Sequence, residues 1–436
     1  MSARALAAAA LLLAVPAAPD ARAETIALTG ATVHTVSGRD LPNAVVLLRD
    51  GKIAAVGAEV AVPPDARRVD LSGRHLYPSL IPPVTVLGLV EIQSVRATVD
   101  TTELGEVNPQ ARADFAVNFD SELLPVARSA GILVAGITPI GGIVSGSLAA
   151  MKLDGWTRED ATVLAPAAVF VVWPDLAIDR SPSARFSARI QEKRRDEALR
   201  KLREAFSDAR AYGKARSAEG GAGIPRHDFD PRLEALLPAV EGRIPVVVEA
   251  HTVAQIRAAL AWSREEKLSA TLFGVEDGWR IAPEIARAGV AAIVRSLPLP
   301  LRADEPYDAA YANAGALSRA GVAVAFDDGA ETGTAPTVRD LPHQASAAVA
   351  YGFPREKAVA AMTLEPARIL RIADRLGSIE AGKDATLIVT DGDVLDLRTH
   401  VVGAWLDGRP LDLNDKQKRL WERYRARPRK SAEKDR

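Results

Sequence analysis

The run Ile244-Pro245-Val246-Val247-Val248-Glu249-Ala250-His251, followed by Thr252 to Glu266, decides the fold. Its apolar, β-branched start reads as a buried strand, and the segment after it carries helical spacing. The pair recurs along the chain. Gly131–Ile137, Val163–Val172, Ala270–Phe273, Val290–Val294 and Val322–Phe326 are further strand candidates. Helical patterns cover Trp279–Ala288, Asp308–Ala320, Val338–Tyr351, Arg355–Met362 and Pro366–Ile372. Strand and helix in alternation predict an α/β chain with a mostly parallel sheet, and over residues 79–374 a (β/α)8 TIM-like barrel.

The flanks read differently. Ile26–Thr29, Thr32–Thr35 and Ala44–Leu48 are short β-type runs, and Asp50-Gly51 is the signal of a two-residue hairpin leading to Ile53–Val56. Ala385–Thr390, Val401–Leu406 and the Asp407-Gly408 turn repeat that style, which predicts one small sheet assembled from residues 24–78 and 375–412. Ser183–Arg216 is charged but carries Leu199, Leu202, Phe206 and Ala209 on one stripe, as a long surface helix would. Residues 413–436 form a basic tail, with ten Lys or Arg against four acidic residues from Asp415 onward, expected to begin as a helix and end disordered.

Residues 1–23 read as a secretory signal peptide: Arg4, an apolar run from Ala5 to Val15, and an Ala21-Arg22-Ala23 cleavage site. The expected address is periplasmic or secreted. That run is about half the roughly 20 residues a membrane span needs, and no transmembrane segment is expected. Of the 436 residues, 48% are hydrophobic, which excludes a disordered polymer. A formal net charge of -1 gives no reason to bind nucleic acid. With no Cys in the chain, disulfides, thiolate metal sites and Cys nucleophiles are excluded.

Three stretches carry a family likeness. The first is Leu28-Thr29-Gly30-Ala31-Thr32-Val33 with Arg49-Asp50-Gly51-Lys52-Ile53 and Gly73-Arg74-His75-Leu76-Tyr77-Pro78. The second is Thr363-Leu364-Glu365-Pro366-Ala367-Arg368-Ile369-Leu370, and the third runs from Leu376-Gly377-Ser378-Ile379 through Ala385 to the Asp407-Gly408 turn. Together they resemble the metal-dependent amidohydrolase superfamily, in its exported imidazolonepropionase-like branch. Gly88–Ile92 through Gly155–Asp160 resembles a subgroup of exported amidohydrolase-like proteins. The resemblance implies a distorted barrel carrying a β-sandwich made from both chain ends, hydrolysis of non-peptide or cyclic C–N (amide) bonds, and zinc or another divalent metal.

Metal-assisted hydrolysis needs imidazoles and carboxylates at the C-terminal ends of barrel strands, where the metal acidifies a bound water. The family's first His-x-His follows a Pro-Gly-Leu-Ile-Asp-Ala type strand. The matching run is Pro78-Ser79-Leu80-Ile81-Pro82-Pro83-Val84-Thr85-Val86, so both imidazole positions fall on Val84 and Val86, which offer no lone pair. The sixth-strand His falls on Gly274. Only six His occur (34, 75, 227, 251, 343 and 400), with no His-x-His or His-x-x-x-His among them. The fifth-strand His-Ala-His becomes Glu249-Ala250-His251, and the last strand offers Asp327 or Asp328 as general base. Glu249, His251 and Glu276 are the candidate binding residues. The family metal is expected to be absent, and activity impaired or lost. The alternative function is a non-catalytic barrel that binds a small molecule, a peptide or an envelope partner.

Gly141-Gly142-Ile143-Val144-Ser145-Gly146-Ser147 has neither P-loop nor nucleophile-elbow spacing and reads as a flexible loop.

Overall fold

The computed structural model describes residues 24–219, 228–297 and 305–425. The expected signal peptide, His227 and the last eleven residues of the basic tail lie outside the described residues. The chain is a mixed α/β protein with two sheets.

The first sheet draws on two distant parts of the chain. Its strands are β1 (Ile26–Val33), β2 (Leu41–Arg49), β3 (Lys52–Gly57), β4 (Arg67–Asp70) and β5 (His75–Pro78). The second sheet contains β6 (Val134–Ile137), β7 (Val144–Lys152), β8 (Thr162–Val172), β9 (Val246–Ala250), β10 (Ala270–Gly274), β11 (Ala291–Val294) and β12 (Val324–Phe326). The chain then returns to the first sheet with β13 (Leu387–Thr390), β14 (Val401–Leu406) and β15 (Arg409–Pro410). The order there is β15-β14-β13-β5-β1-β2-β3, with β4 also on β1. β2 is buried over Val46–Leu48, and Ile26, Leu28, Val46, Leu48, Leu387 and Trp405 share one core.

The second sheet runs β12 to β6 without a break. From β8 to β12 every pair is parallel, with helices at Val253–Glu265, Gly278–Ala288 and Ala309–Arg319 between successive strands. This half follows the alternation read from the sequence. The other half does not: β7 is antiparallel to both β6 and β8, and no helix separates β6 from β7. The glycine-rich segment expected as a loop therefore enters a nine-residue strand that is buried almost throughout.

Residues 80–85 add a parallel edge beside β6, through bridges Leu80 to Ile132 and Thr85 to Ile137. The far edge, β12, comes round to the same place: the Val84 N–H donates to Asp327 Oδ2 at 2.9 Å. Strands before and after the sheet thus meet at one hydrogen bond, and the space between is filled by Val84, Val86, Val134, Phe170, Val247 and Ile293. The charged segment forms a helix over Ala188–Ala218 whose buried residues are Leu202, Phe206, Ala209 and Tyr212. None of the helices among the described residues is long and apolar enough to cross a membrane.

Candidate functional site

Register decides which strand-end side chains share a face. Glu249 pairs with Phe273, Phe273 with Ile293, and Ile293 with Ala325. Two residues further on, Arg295 and Asp327 occupy the same face, and His251 follows Glu249. The opposite face meets the helices: Phe326 sits edge-on to Phe353 at 5.1 Å, and Asp328 accepts from Gln344 Nε2 at 2.7 Å. The inner face at the C-terminal strand ends therefore carries Glu249, His251, Arg295 and Asp327.

His251 is held by the start of the next helix. Thr252 caps Val253–Glu265 with a reciprocal capping box, and Gln255 Oε1 accepts from the Thr252 and His251 amides at 3.1 and 3.2 Å. The His251 carbonyl accepts from the Asp277 N–H at 2.9 Å, which fixes the turn after β10 against it. Both ring nitrogens then face carboxylates. Nε2 donates to Glu249 Oε1 at 3.0 Å, while Nδ1 lies 3.2 Å from Glu276 Oε1, an ionic contact without hydrogen-bond alignment. Burial alone would push the imidazole down, but the two carboxylates outweigh it and raise it to about 10. The two carboxylates thus favour the imidazolium at neutral pH, with a ring nitrogen facing each.

Gly274 explains how the ring fits. Its φ is +90°, and a Cβ there would lie 2.6 Å from His251 Cε1. A side chain at 274, the family's sixth-strand histidine included, cannot coexist with His251 in this position. Val84 and Val86 are fully buried core residues. Asp327 is 1% exposed, with Oδ1 accepting from the Gly329 N–H at 2.7 Å and Oδ2 from that of Val84. Burial pushes its carboxyl up to about 8 against those two bonds. Asp328 accepts from Thr337 Oγ1 and Gln344 Nε2, so it braces the helix Leu341–Ala350 from outside the strand ring. Burial raises its carboxyl too, opposed by Thr337, Arg295 and Gln344.

Of the sequence-predicted residues, the structure brings Glu249, His251 and Glu276 together, sets Asp327 apart as a stitch between the sheet edges, and turns Asp328 outward. The donors do not fit a divalent metal. The carboxylates lie on opposite sides of one protonated ring instead of converging on a point, and among the described residues no three His, Asp or Glu side chains are arranged to hold a metal ion. Sequence reading missed Arg295, whose Nε donates to the Asp328 carbonyl at 2.7 Å and whose Nη2 lies 3.4 Å from Glu331 Oε2. Its signal was available: it follows Ile293 by two, which puts it on the inner face of β11.

Comparison with known proteins bears on this geometry. Residues 306–413 match a family model described as the amidohydrolase family. The curated protein "Amidohydrolase tasK" of Hapsidospora irregularis is 27% identical over 395 residues, covering 83% of this chain. The chain spans only 39% of that relative's length. The solved structure of an amidohydrolase from Thermotoga maritima MSB8 has a TM-score of 0.78 at 24% identity, covering 89% of this chain and 99% of that one. Molinate hydrolase follows at a TM-score of 0.52 and 18% identity, covering 90% and 95%. Together these make the chain similar to amidohydrolases, in sequence over part of its length and in fold over most of it. At such identities the structural likenesses speak for the fold, which is similar to the TIM-barrel-type structures of amidohydrolases. The inner-face residues at the strand ends lie where enzymes of barrel type carry their chemistry.

Proposed function

We propose that this chain is an exported amidohydrolase-superfamily protein of the imidazolonepropionase-like branch that has lost its metal site and binds a small molecule or a peptide at the barrel mouth. In this reading residues 1–23 are the export leader, 79–374 a distorted (β/α)8 barrel, 24–78 with 375–412 a β-sandwich, and 413–436 a basic tail. The location is periplasmic or secreted. One observation carries the loss of metal chemistry: His251 spends both ring nitrogens on Glu249 and Glu276. Val84, Val86 and Gly274 supply no donor in their place.

The mouth offers a ligand the net negative charge of the Glu249–His251–Glu276 triad and the half-buried guanidinium of Arg295. Opposite charges on one rim suit a ligand with both an amino and an acidic group, as a short peptide has. Hydrolysis of an amide or cyclic C–N bond is the second reading. What favours it is the position of Asp327 at the end of the last strand, where a general base would stand.

Thermal-shift screening against dipeptides, acyl-amino acids, hydantoins and lactams tests both readings, paired with turnover assays in chelator and in added zinc or manganese. Ligand stabilisation that Glu249→Ala abolishes, without turnover under any condition, supports binding. Metal-dependent turnover overturns it.

A further inference from the structure

The helix Lys416–Arg425 has no buried residue. It is tied to the rest of the chain from one side. Asp415, itself buried, accepts from the Lys418 N–H at 2.9 Å, and Arg419 Nη2 lies 3.2 Å from Glu122 Oε2. At about 100° per residue, Leu420, Trp421 and Tyr424 fall within an arc of about 100°, away from Arg419. They are 39%, 60% and 46% exposed. The same spacing puts Gln417 within this strip, Lys416 and Arg423 along one border, and Lys418 and Arg425 along the other, where Lys418 Nζ donates to the Leu413 carbonyl at 2.7 Å and Arg425 pairs with Glu422. Two of these cations lie near its rings, Arg425 at 4.5 Å from the Trp421 centroid and Arg423 at 5.8 Å from that of Tyr424.

A ten-residue helix with no fully buried residue is marginal in water, and its exposed Leu, Trp and Tyr side chains gain stability once a surface covers them. Both the geometry and the charge of this strip select the surface. An apolar arc with Trp and Tyr, bordered on both sides by Lys and Arg, is the pattern of helices that lie in a membrane interface. There the rings sit at headgroup level and the long cationic side chains reach outward to phosphate. The sequence beyond Arg425 adds Arg427, Arg429, Lys430, Lys434 and Arg436, which extends the positive charge in the same segment.

We propose that Leu420, Trp421 and Tyr424 seat the helix Lys416–Arg425 in the headgroup layer of an anionic phospholipid bilayer, with Lys416, Lys418, Arg423 and Arg425 on the lipid phosphates. This docking is independent of what the strand-end site binds. Each cation brought to an anionic surface multiplies binding roughly fivefold. The four bordering cations therefore make attachment depend steeply on lipid charge and on salt.

The test is co-sedimentation of the full mature chain with vesicles of phosphatidylcholine alone or mixed with phosphatidylglycerol, at low and high salt. The expected result is at least about tenfold tighter binding to the anionic vesicles, lost at high salt. Leu420→Ser, Trp421→Ser and Tyr424→Ser combined should lower it by a further tenfold or so while leaving the melting temperature unchanged, since none of the three is buried. Equal binding to neutral vesicles, no vesicle binding, or full binding by the triple variant overturns the proposal. So does a DNA duplex that wild type and triple variant bind alike and more tightly than either vesicle, since the segment would then act as a plain polycation.

Discussion

Replacing Glu249 by Gln removes one of two charges that keep His251 protonated, and the size of the effect follows from the distance. At 3.0 Å a unit pair is worth about 1.4 kcal/mol in the dielectric of water and about 5.5 kcal/mol at an effective value near 20. The side chains are 33% and 26% exposed, so solvent screens the pair and the lower part of that range applies. A loss of roughly 1.5–3 kcal/mol is about one to two pKa units. Glu249→Gln should therefore bring His251 down from about 10 by that amount, and Glu249→Gln with Glu276→Gln should take it below its ordinary value, because burial then acts unopposed. Proton–nitrogen correlation NMR of the imidazoles reads this directly, with His251→Gln identifying the resonance. In wild type the His251 signals should stay those of an imidazolium through neutral pH. A wild-type transition in the ordinary histidine range, or no movement in Glu249→Gln, refutes the ion-pair account.

Asp327→Ala strands the buried amides of Val84 and Gly329, so urea unfolding should show a loss of about 2–6 kcal/mol, and Asp327→Asn about half of it, by keeping one acceptor. A loss below about 1 kcal/mol would mean that Asp327 does not stitch the sheet edges. Gly274→Ala should cost about 1–3 kcal/mol for its left-handed backbone, and should also lower the His251 pKa in the NMR titration, because the new methyl group displaces the ring. Stability should decline as pH rises from the acid side, from about 4 upward through Asp327 and from about 6.5 upward through His251. His251 and Asp327 both have raised folded values, so the stability each contributes is complete below its unfolded value and is lost as pH rises, through about 8 for Asp327 and about 10 for His251. Asp327→Asn should flatten the earlier part of that decline in melting temperature against pH.

The strand-helix half of the second sheet was legible because its apolar runs and helical spacing alternate cleanly from Val246 to Phe326. The Asp50-Gly51 hairpin was legible for the reason hairpins usually are: Asp-Gly fits the turn between β2 and β3. β7 was hidden by its own glycines. A Cβ at Gly146 would lie 2.6 Å from the Ala111 carbonyl, so the residue that looked like loop composition is what lets residues 106–112 pack along the strand. The choice between Asp327 and Asp328 was beyond the sequence, where two adjacent carboxylates look alike. Strand parity separates them, since it places one beside Val84 and the other on Gln344. The pairing of Glu249 with His251 could be read from their spacing of two along a strand. That Glu276 closes on the same ring, and that Gly274 leaves room for it, depends on the turn after β10, which local sequence does not specify.

Metal content is the most direct test of whether the strand-end site around His251 holds a cation. The full chain, purified without chelator and dialysed against zinc, manganese and iron in turn, should carry each far below one equivalent by elemental analysis, with His251 resonances unmoved. One tightly held equivalent, displaced by Glu249→Ala and accompanied by a shift of the His251 ring signals, would contradict the account.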